Sequence, residues 1–215
     1  MVNDIISLGG TRIGKRKEGS FFIVVEGLAG SGKTPQAKLI ADALKEKGKQ
    51  TILTIEPTKT SKVSKRIAEA LAKKYKIKLE ELQKLFSEDR KEHVEKLIIP
   101  AIKKGRVVVS DRYAFTTFSY GSLGSNLEEL YELNKKFPLP DLTIFVDVAP
   151  KECLKRIGGR GKSRELFEGI EELKANRSGY KKIFKKFPNV QIIDGSGTIQ
   201  ETHKKIMREV NRLVS

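Results

Sequence analysis

Gly27-Leu28-Ala29-Gly30-Ser31-Gly32-Lys33-Thr34 is a complete G-x-x-x-x-G-K-[ST] run, and its reading decides how the flanking sequence is understood. The β-branched stretch Phe21 to Val25 leads directly into it, and an amphipathic stretch from Pro35 to Lys47 leaves it. At average residue usage, one such match is expected by chance in under roughly one per cent of chains of this size. Glycines let the backbone curl so that several N–H groups converge on a phosphate, and the following helix adds its positive end. Gly27 to Thr34 is therefore read as a nucleotide-phosphate cradle, with Lys33 facing the β- and γ-phosphates and Thr34 facing a Mg2+ ion. A Gly-rich turn without a ligand is the alternative.

Outward from this loop, short β-branched runs alternate with longer amphipathic ones. The runs Phe21–Val25, Thr51–Ile55, Arg106–Ser110, Leu142–Val146 and Val190–Asp194 are nearly continuous in apolar character, as strands covered on both faces must be. Helices are expected over Pro35–Lys47, Ser64–Lys74, Lys78–Lys103 with a break or kink near Pro100, Leu127–Lys136 and Lys151–Arg156. This order predicts an α/β fold: a P-loop three-layer sandwich whose parallel five-stranded sheet carries helices on both faces. Residues 1–20, with four glycines and several charges, read as a flexible or peripheral extension before a single domain over 21–215.

The chain has 215 residues, 38% hydrophobic and 33% charged, enough for a full core. No apolar run reaches the roughly 18 residues a membrane span needs. A lone Cys153 can form neither an internal disulfide nor a cysteine-built zinc site, which fits a cytoplasmic protein. The 43 Lys+Arg against 27 Asp+Glu give a net charge of +16 and invite a nucleic-acid reading. The lysines, however, fall in scattered doublets such as Lys73-Lys74 and Lys181-Lys182, which solvated helix faces explain better.

A phosphate cradle alone does not separate a switch from a kinase. Strand Val107 to Ser110 runs into Asp111-Arg112-Tyr113, placing a carboxylate and a guanidinium at the sheet edge where open α/β folds bind ligands. Asp111 can support a metal shell, and the planar fork of Arg112 can clamp a second phosphate. Guanine readout by an N-K-x-D run is absent, since Asn134-Lys135-Lys136-Phe137 fails at its last position.

Further segments carry a resemblance: Glu26-Gly27 into the P-loop and Gln36 after it, Glu56-Pro57, Leu85-Phe86-Ser87-Glu88-Asp89-Arg90, Asp111-Arg112-Tyr113, Ser119-Tyr120-Gly121, Pro140-Asp141-Leu142 and the Arg-rich stretch 156–168. From about Phe21 to the C-terminus the sequence resembles the thymidylate kinase family of P-loop nucleoside-monophosphate kinases. The resemblance implies transfer of the ATP γ-phosphoryl group to dTMP, with ATP and Mg2+ as cofactors and a homodimeric assembly. Its implied acceptor site is Glu56, Phe86, Arg90, Arg112, Thr117 and Tyr120. Phe86 stacks on the base, Arg90 donates to a base carbonyl, Thr117 touches the base edge and Tyr120 crowds the sugar. Phe86 and Arg90 stand i, i+4 on one helix face, as joint work on one base requires. Lys33, Arg112, Arg160 and Arg164 are the implied catalytic cations, with Arg156 a weaker candidate, and Thr34 and Asp111 the implied metal supports. The acceptor phosphate is its own nucleophile, so no strong general base is needed, and neither His93 nor His203 is expected to be catalytic. Lys59 or Arg66 is a further candidate for the acceptor phosphate.

The sequence departs from the family at Ala29, where an acidic residue ordinarily reaches the acceptor 3′-hydroxyl, and at Pro35, an easy residue in a first helical turn. Gly30 stands where one branch has Arg, which shifts the catalytic cations to the 156–168 lid. The Ala29 change keeps two alternatives open: a related nucleotide or deoxynucleoside kinase with another acceptor, and a basic nucleotide-dependent nucleic-acid-binding protein.

Overall fold

A computed structural model describes residues 4–121, 124, 126–159, 161 and 163–214. The central strand is β3 (Phe21–Gly27), buried from Phe22 onward because both of its faces are covered. It pairs in parallel with β5 (Val107–Asp111) on one side and β6 (Leu142–Asp147) on the other. With β4 (Thr51–Ile55) and β7 (Val190–Asp194) at the edges, the order is β4-β5-β3-β6-β7 and every pairing is parallel. The chain leaves β3 toward β4 and later leaves β5 toward β6, so the direction of travel reverses at the carboxyl end of β3. That switch point is where α/β sheets open a binding crevice, and the P-loop occupies it.

Helix α1 (Lys33–Glu46) packs on β3, β4 and β5 and against α9 (Ile199–Val214). The other group comprises α2 (Lys62–Leu71), α3 (Leu79–His93), α4 (Ile99–Lys103), α5 (Ala114–Gly121), α6 (Leu127–Asn134), α7 (Pro150–Gly158) and α8 (Ile170–Phe184), with α5 packed on α3, α6 and α8. Apart from the main core, Ile67, Leu82, Leu85, Phe86, Tyr120 and Phe167 form a smaller apolar cluster beneath α2 and α3.

The five sequence-derived strands all form, two with the expected ends and three with ends shifted by one or two residues. Helix α2 starts earlier than expected because Ser61 caps it: Ser61 Oγ accepts from Ser64 N at 2.8 Å and Ser64 Oγ accepts from Ser61 N at 3.1 Å. The long helix ending near Pro100 is neither continuous nor simply kinked. A π-helical turn, Val94–Ile98, separates α3 from α4. Pro100 has no N–H to give to residue 96, and the wider turn absorbs that missing bond.

The N-terminal segment is peripheral, as read, but not flexible. β1 (Asp4–Ile6) and β2 (Arg12–Lys15) form an antiparallel pair, and Ile5 and Leu8 are buried in the main core. Backbone bonds from Leu8 N to Phe137 O (2.7 Å), Gly9 N to Lys135 O (2.8 Å) and Leu139 N to Ile6 O (2.7 Å) dock it on the segment between α6 and β6. Arg16 holds Asp141 through both Nη atoms, at 2.5 and 2.6 Å, while Asp141 Oδ2 accepts from Phe22 N at 2.7 Å. One carboxylate thus joins the extension to the first residues of the central strand. Asp141→Ala strands a guanidinium and a strand N–H in a partly buried setting, a loss of about 2 kcal/mol. The expected result in a thermal melt is a Tm lower by about 4–8 °C, against little change for exposed Asp42→Ala.

Candidate active site

The phosphate cradle keeps its curl through positive φ angles at Gly30 (81°) and Gly32 (90°), the latter being the N-cap of α1. A Cβ at Gly30 would meet the Cys153 carbonyl oxygen of α7 at 2.5 Å, so this backbone must be glycine both for its torsion and for its neighbour. Lys33 is buried and its ammonium donates to Leu28 O at 3.1 Å, across the mouth of the loop. Thr34 Oγ1 donates to Asp111 Oδ2 at 2.5 Å, bringing together the two expected metal supports from β5 and α1. Asp111 Oδ1 and Ser31 Oγ are buried without partners. An orphaned carboxylate oxygen beside a threonine hydroxyl is a donor set that suits a hard divalent cation completed by phosphate and water oxygens. Among the described residues there is no cluster of three or more His, Cys, Asp or Glu that would hold a metal by itself.

Arg112 has a left-handed backbone, φ 73°, unusual for a residue with a side chain. Its N–H donates to Val25 O at 2.9 Å and its carbonyl accepts from Ser110 Oγ at 2.8 Å, so strand bonds hold the strained conformation. Burial opposes its charge, but Tyr120, Tyr180, Asp111 and Glu26 around it outweigh this and raise its pKa above the ordinary guanidinium value. Nη1 is buried with no partner, an unanswered donor next to the phosphate cradle. Fully buried Glu26 faces it. Glu26 accepts from Tyr113 N (2.9 Å), Thr116 N (3.2 Å), Thr116 Oγ1 (2.7 Å) and Tyr180 OH (2.9 Å). Burial raises the Glu26 pKa, and these donors together with Arg112 pull against that rise.

Beside the P-loop lies a cavity of about 260 Å³ whose wall includes Ala29, Glu56, Phe86, Arg112 and Tyr120. Four of the six expected acceptor residues, Glu56, Phe86, Arg112 and Tyr120, therefore converge, and Lys59 joins them while Arg66 does not. Arg90 and Thr117 stand behind this wall. Arg90 is almost wholly buried and donates to Glu56 Oε2 at 2.8 Å, Asn134 Oδ1 at 2.5 Å and Thr117 Oγ1 at 3.3 Å, with its guanidinium 5.3 Å from the Tyr113 ring centre.

Of the lid cations, Arg160 lies outside the described residues. Arg164 is exposed, and Arg156 pairs with Glu152 at 2.9 Å one turn away on α7. The end of the same segment does something the sequence reading missed. Phe167, at φ 74°, stacks on Tyr120 with ring centres 4.3 Å apart, and Leu166 N donates to Leu71 O of α2 at 2.8 Å. Glu165, Leu166 and Glu168 consequently form part of the cavity wall. A larger cleft of about 590 Å³ between α7 and α8, lined by Lys151, Lys174, Arg177, Lys181, Lys182 and Lys185, contains none of the expected site residues. Arg177 and Lys181 there both pair with Asp147.

A phosphate-binding loop at the switch point of a parallel sheet, with a cavity beside it, defines a P-loop nucleotide-binding fold. The thymidylate kinase family profile matches residues 25–206. A protein of Thermococcus onnurineus named probable thymidylate kinase is 40% identical, over 86% of this chain and 95% of its own length. The thymidylate kinase of Desulfotalea psychrophila is 33% identical, over 89% and 95%. In fold, the thymidylate kinase structure from Candida albicans superposes with a TM-score of 0.80 at 24% identity, covering 91% of this chain and 94% of that one. This chain belongs to the thymidylate kinase family.

Cys153 contributes its carbonyl to the contact with Gly30, and burial pushes its thiol up to about 11 despite the opposing charges of Arg156 and Lys33. At pH 8 the folded protein should therefore resist iodoacetamide, with alkylation proceeding at the rate of unfolding. Gly30→Ala is expected to break that rule, raising alkylation of the native protein at least about tenfold as α7 is displaced.

Proposed function

We propose that Lys33, Arg112 and the arginines of the 156–168 segment carry phosphoryl transfer from ATP to dTMP, the reaction of the family to which this enzyme belongs. The carrying observation is that Ala29 of the phosphate cradle and Arg112 of the sheet edge are also walls of the acceptor cavity, so donor and acceptor phosphates would meet between them. Lys33 neutralises the β- and γ-phosphates of ATP, and Arg112 turns its unpartnered Nη1 toward the acceptor phosphate, with Lys59 opposite. A Mg2+ ion held by Thr34 and Asp111 supplies charge neutralisation for the β- and γ-phosphate oxygens. Phe86 offers its ring to the base and Tyr120, braced by Phe167, bounds the sugar side. Arg90 and Thr117 act on the base through Glu56 and the wall they support. Arg160 and Arg164 close over ATP as a lid spanning 156–168, and residues 21–215 carry the catalytic machinery, with residues 1–20 an extension packed against it. The enzyme is further proposed to be a cytoplasmic homodimer, a reading supported by family resemblance. Light scattering checks the assembly.

Steady-state ADP production should be fastest with dTMP among dTMP, dUMP, dGMP and UMP, and near zero without acceptor. Preference for another monophosphate would redirect the assignment to a related kinase. Lys33→Ala should lower kcat by at least about 10²-fold with an unchanged melt, since a fixed transition-state cation is lost. Phe86→Ala should raise the dTMP KM about tenfold and leave the ATP KM alone, as expected for loss of a stacking ring.

The 3′-hydroxyl poses a separate question. Arg90 and His93 hold one Glu56 oxygen each, so this carboxylate is fixed in its own framework and is not free to turn in place of the one missing at position 29. The native enzyme should discriminate weakly between dTMP and its 3′-deoxy analogue. Ala29→Asp should increase the preference for dTMP roughly 10-fold or more, the size of one charge-assisted hydrogen bond. Equal kcat/KM ratios in the two proteins would dismiss this reading of Ala29.

A further inference from the structure

His93, to which the sequence assigns no catalytic role, has both of its ring nitrogens engaged. It closes α3, is buried, and places Nδ1 2.9 Å from Glu56 Oε1 and Nε2 2.7 Å from Thr54 Oγ1. A carboxylate oxygen only accepts, so Nδ1 carries the proton, and Nε2 then accepts from the Thr54 hydroxyl. Thr54 lies in β4 and Glu56 directly follows it, so the ring is wedged between the strand and the residue that leaves it.

The other Glu56 oxygen belongs to Arg90. A glutamate χ3 torsion is soft and roughly two-fold, so one donor would leave the carboxylate free to turn. Two donors, one on each oxygen, fix its plane. A second clamp comes from the same helix, where Asp89 accepts from Thr58 N (2.6 Å), Thr58 Oγ1 (2.6 Å) and Ser61 Oγ (2.9 Å). The stretch after β4, which supplies Glu56, Pro57, Thr58 and Lys59 to the cavity wall, is thereby gripped at both ends by α3.

We propose that His93 is a positioning residue for the acceptor pocket: with its ring held at Nε2 by Thr54, its Nδ1–H orients the Glu56 carboxylate and with it the Arg90 guanidinium and the Pro57–Lys59 wall. This rests on reading the cavity as the acceptor site. His93 touches no reacting atom, so its removal should weaken acceptor binding and spare ATP.

The two amides separate this role from plain packing. Asparagine sets its Nδ2 where Nδ1 stands and keeps the donor to Glu56, whereas glutamine reaches the Nε2 position and keeps only Thr54. KM values for dTMP and ATP, with calorimetric dTMP binding as a second readout, are measured for wild type, His93→Asn, His93→Gln, His93→Leu and Thr54→Val. The Gln and Leu variants should raise the dTMP KM and Kd about tenfold with the ATP KM within about twofold of wild type. Asn should recover most of the loss, and Thr54→Val, which leaves Nε2 without its partner and the ring less firmly held, should give about threefold. Asn and Gln variants that behave alike, or dTMP and ATP constants that rise together, overturn the proposal even if the Leu variant fails to fold. Failure of the wild type to bind and phosphorylate dTMP instead overturns the reading of the cavity.

Discussion

One buried carboxylate, Glu26, ties together the parts of the protein that must not move relative to one another. It sits in β3 immediately before the phosphate cradle, and its four hydrogen bonds reach the first turn of α5 and the middle of α8. Taking a carboxylate out of water is costly unless its oxygens are answered, and here they are answered by the N–H groups of Tyr113 and Thr116, two hydroxyls and the charge of Arg112. The entry to α5 is thus tied to the neighbouring strand that carries Glu26. Arg112, with a strained backbone and one unanswered Nη, is tolerated because Glu26 and the strand bonds hold it.

A second, coupled framework centres on Glu56. Its pairs with Arg90 and His93 link β4 to α3, and Arg90 passes the connection to Asn134 of α6 and Thr117 of α5. The cavity beside the P-loop is therefore bounded by side chains whose own orientations are set from behind. Phe86 and Tyr120 in its wall belong to the small apolar cluster, whose burial of aromatic surface orders the α2–α3 flap against the main body. Phe167 brings the end of the 156–168 segment into that cluster, so the segment that leaves α7 finishes against the cavity wall.

Much of this was legible in the sequence because it is local. Strand–loop–helix order, the glycines of the cradle and the Asp111-Arg112 pair at a strand end each follow from a few consecutive residues. Phe86, Glu56 and Tyr120 were reachable through their motifs. What was not legible depends on contacts between distant positions. Glu26 has partners at 113, 116 and 180, His93 finds Thr54 and Glu56 across the helix–sheet boundary, and Arg90 turns out to be shut behind the cavity. The π turn before Pro100 also escapes periodicity, since one extra residue per turn leaves an apolar pattern almost unchanged. The first twenty residues misled because their glycines and charges resemble a linker. Only Ile5 and Leu8 hinted at a buried face, and two apolar residues do not establish a period.

The docking of that N-terminal hairpin sets an order of events during synthesis. Arg16 and Asp141 are 125 positions apart, and the backbone partners of Leu8 and Gly9 lie between α6 and β6. While the chain is being made, β1 and β2 can pair with each other, but their surface for burial does not exist until residues 135–141 have left the ribosome. At about 5–20 residues per second, the hairpin waits on the order of ten seconds for that partner, with Ile5 and Leu8 exposed. Closing so long a loop late adds little to the entropic penalty, which grows only with the logarithm of length. The hairpin is therefore a latch that can shut only after a partner more than a hundred residues further along has been made, just before β6 arrives to pair with the strand that carries the phosphate cradle.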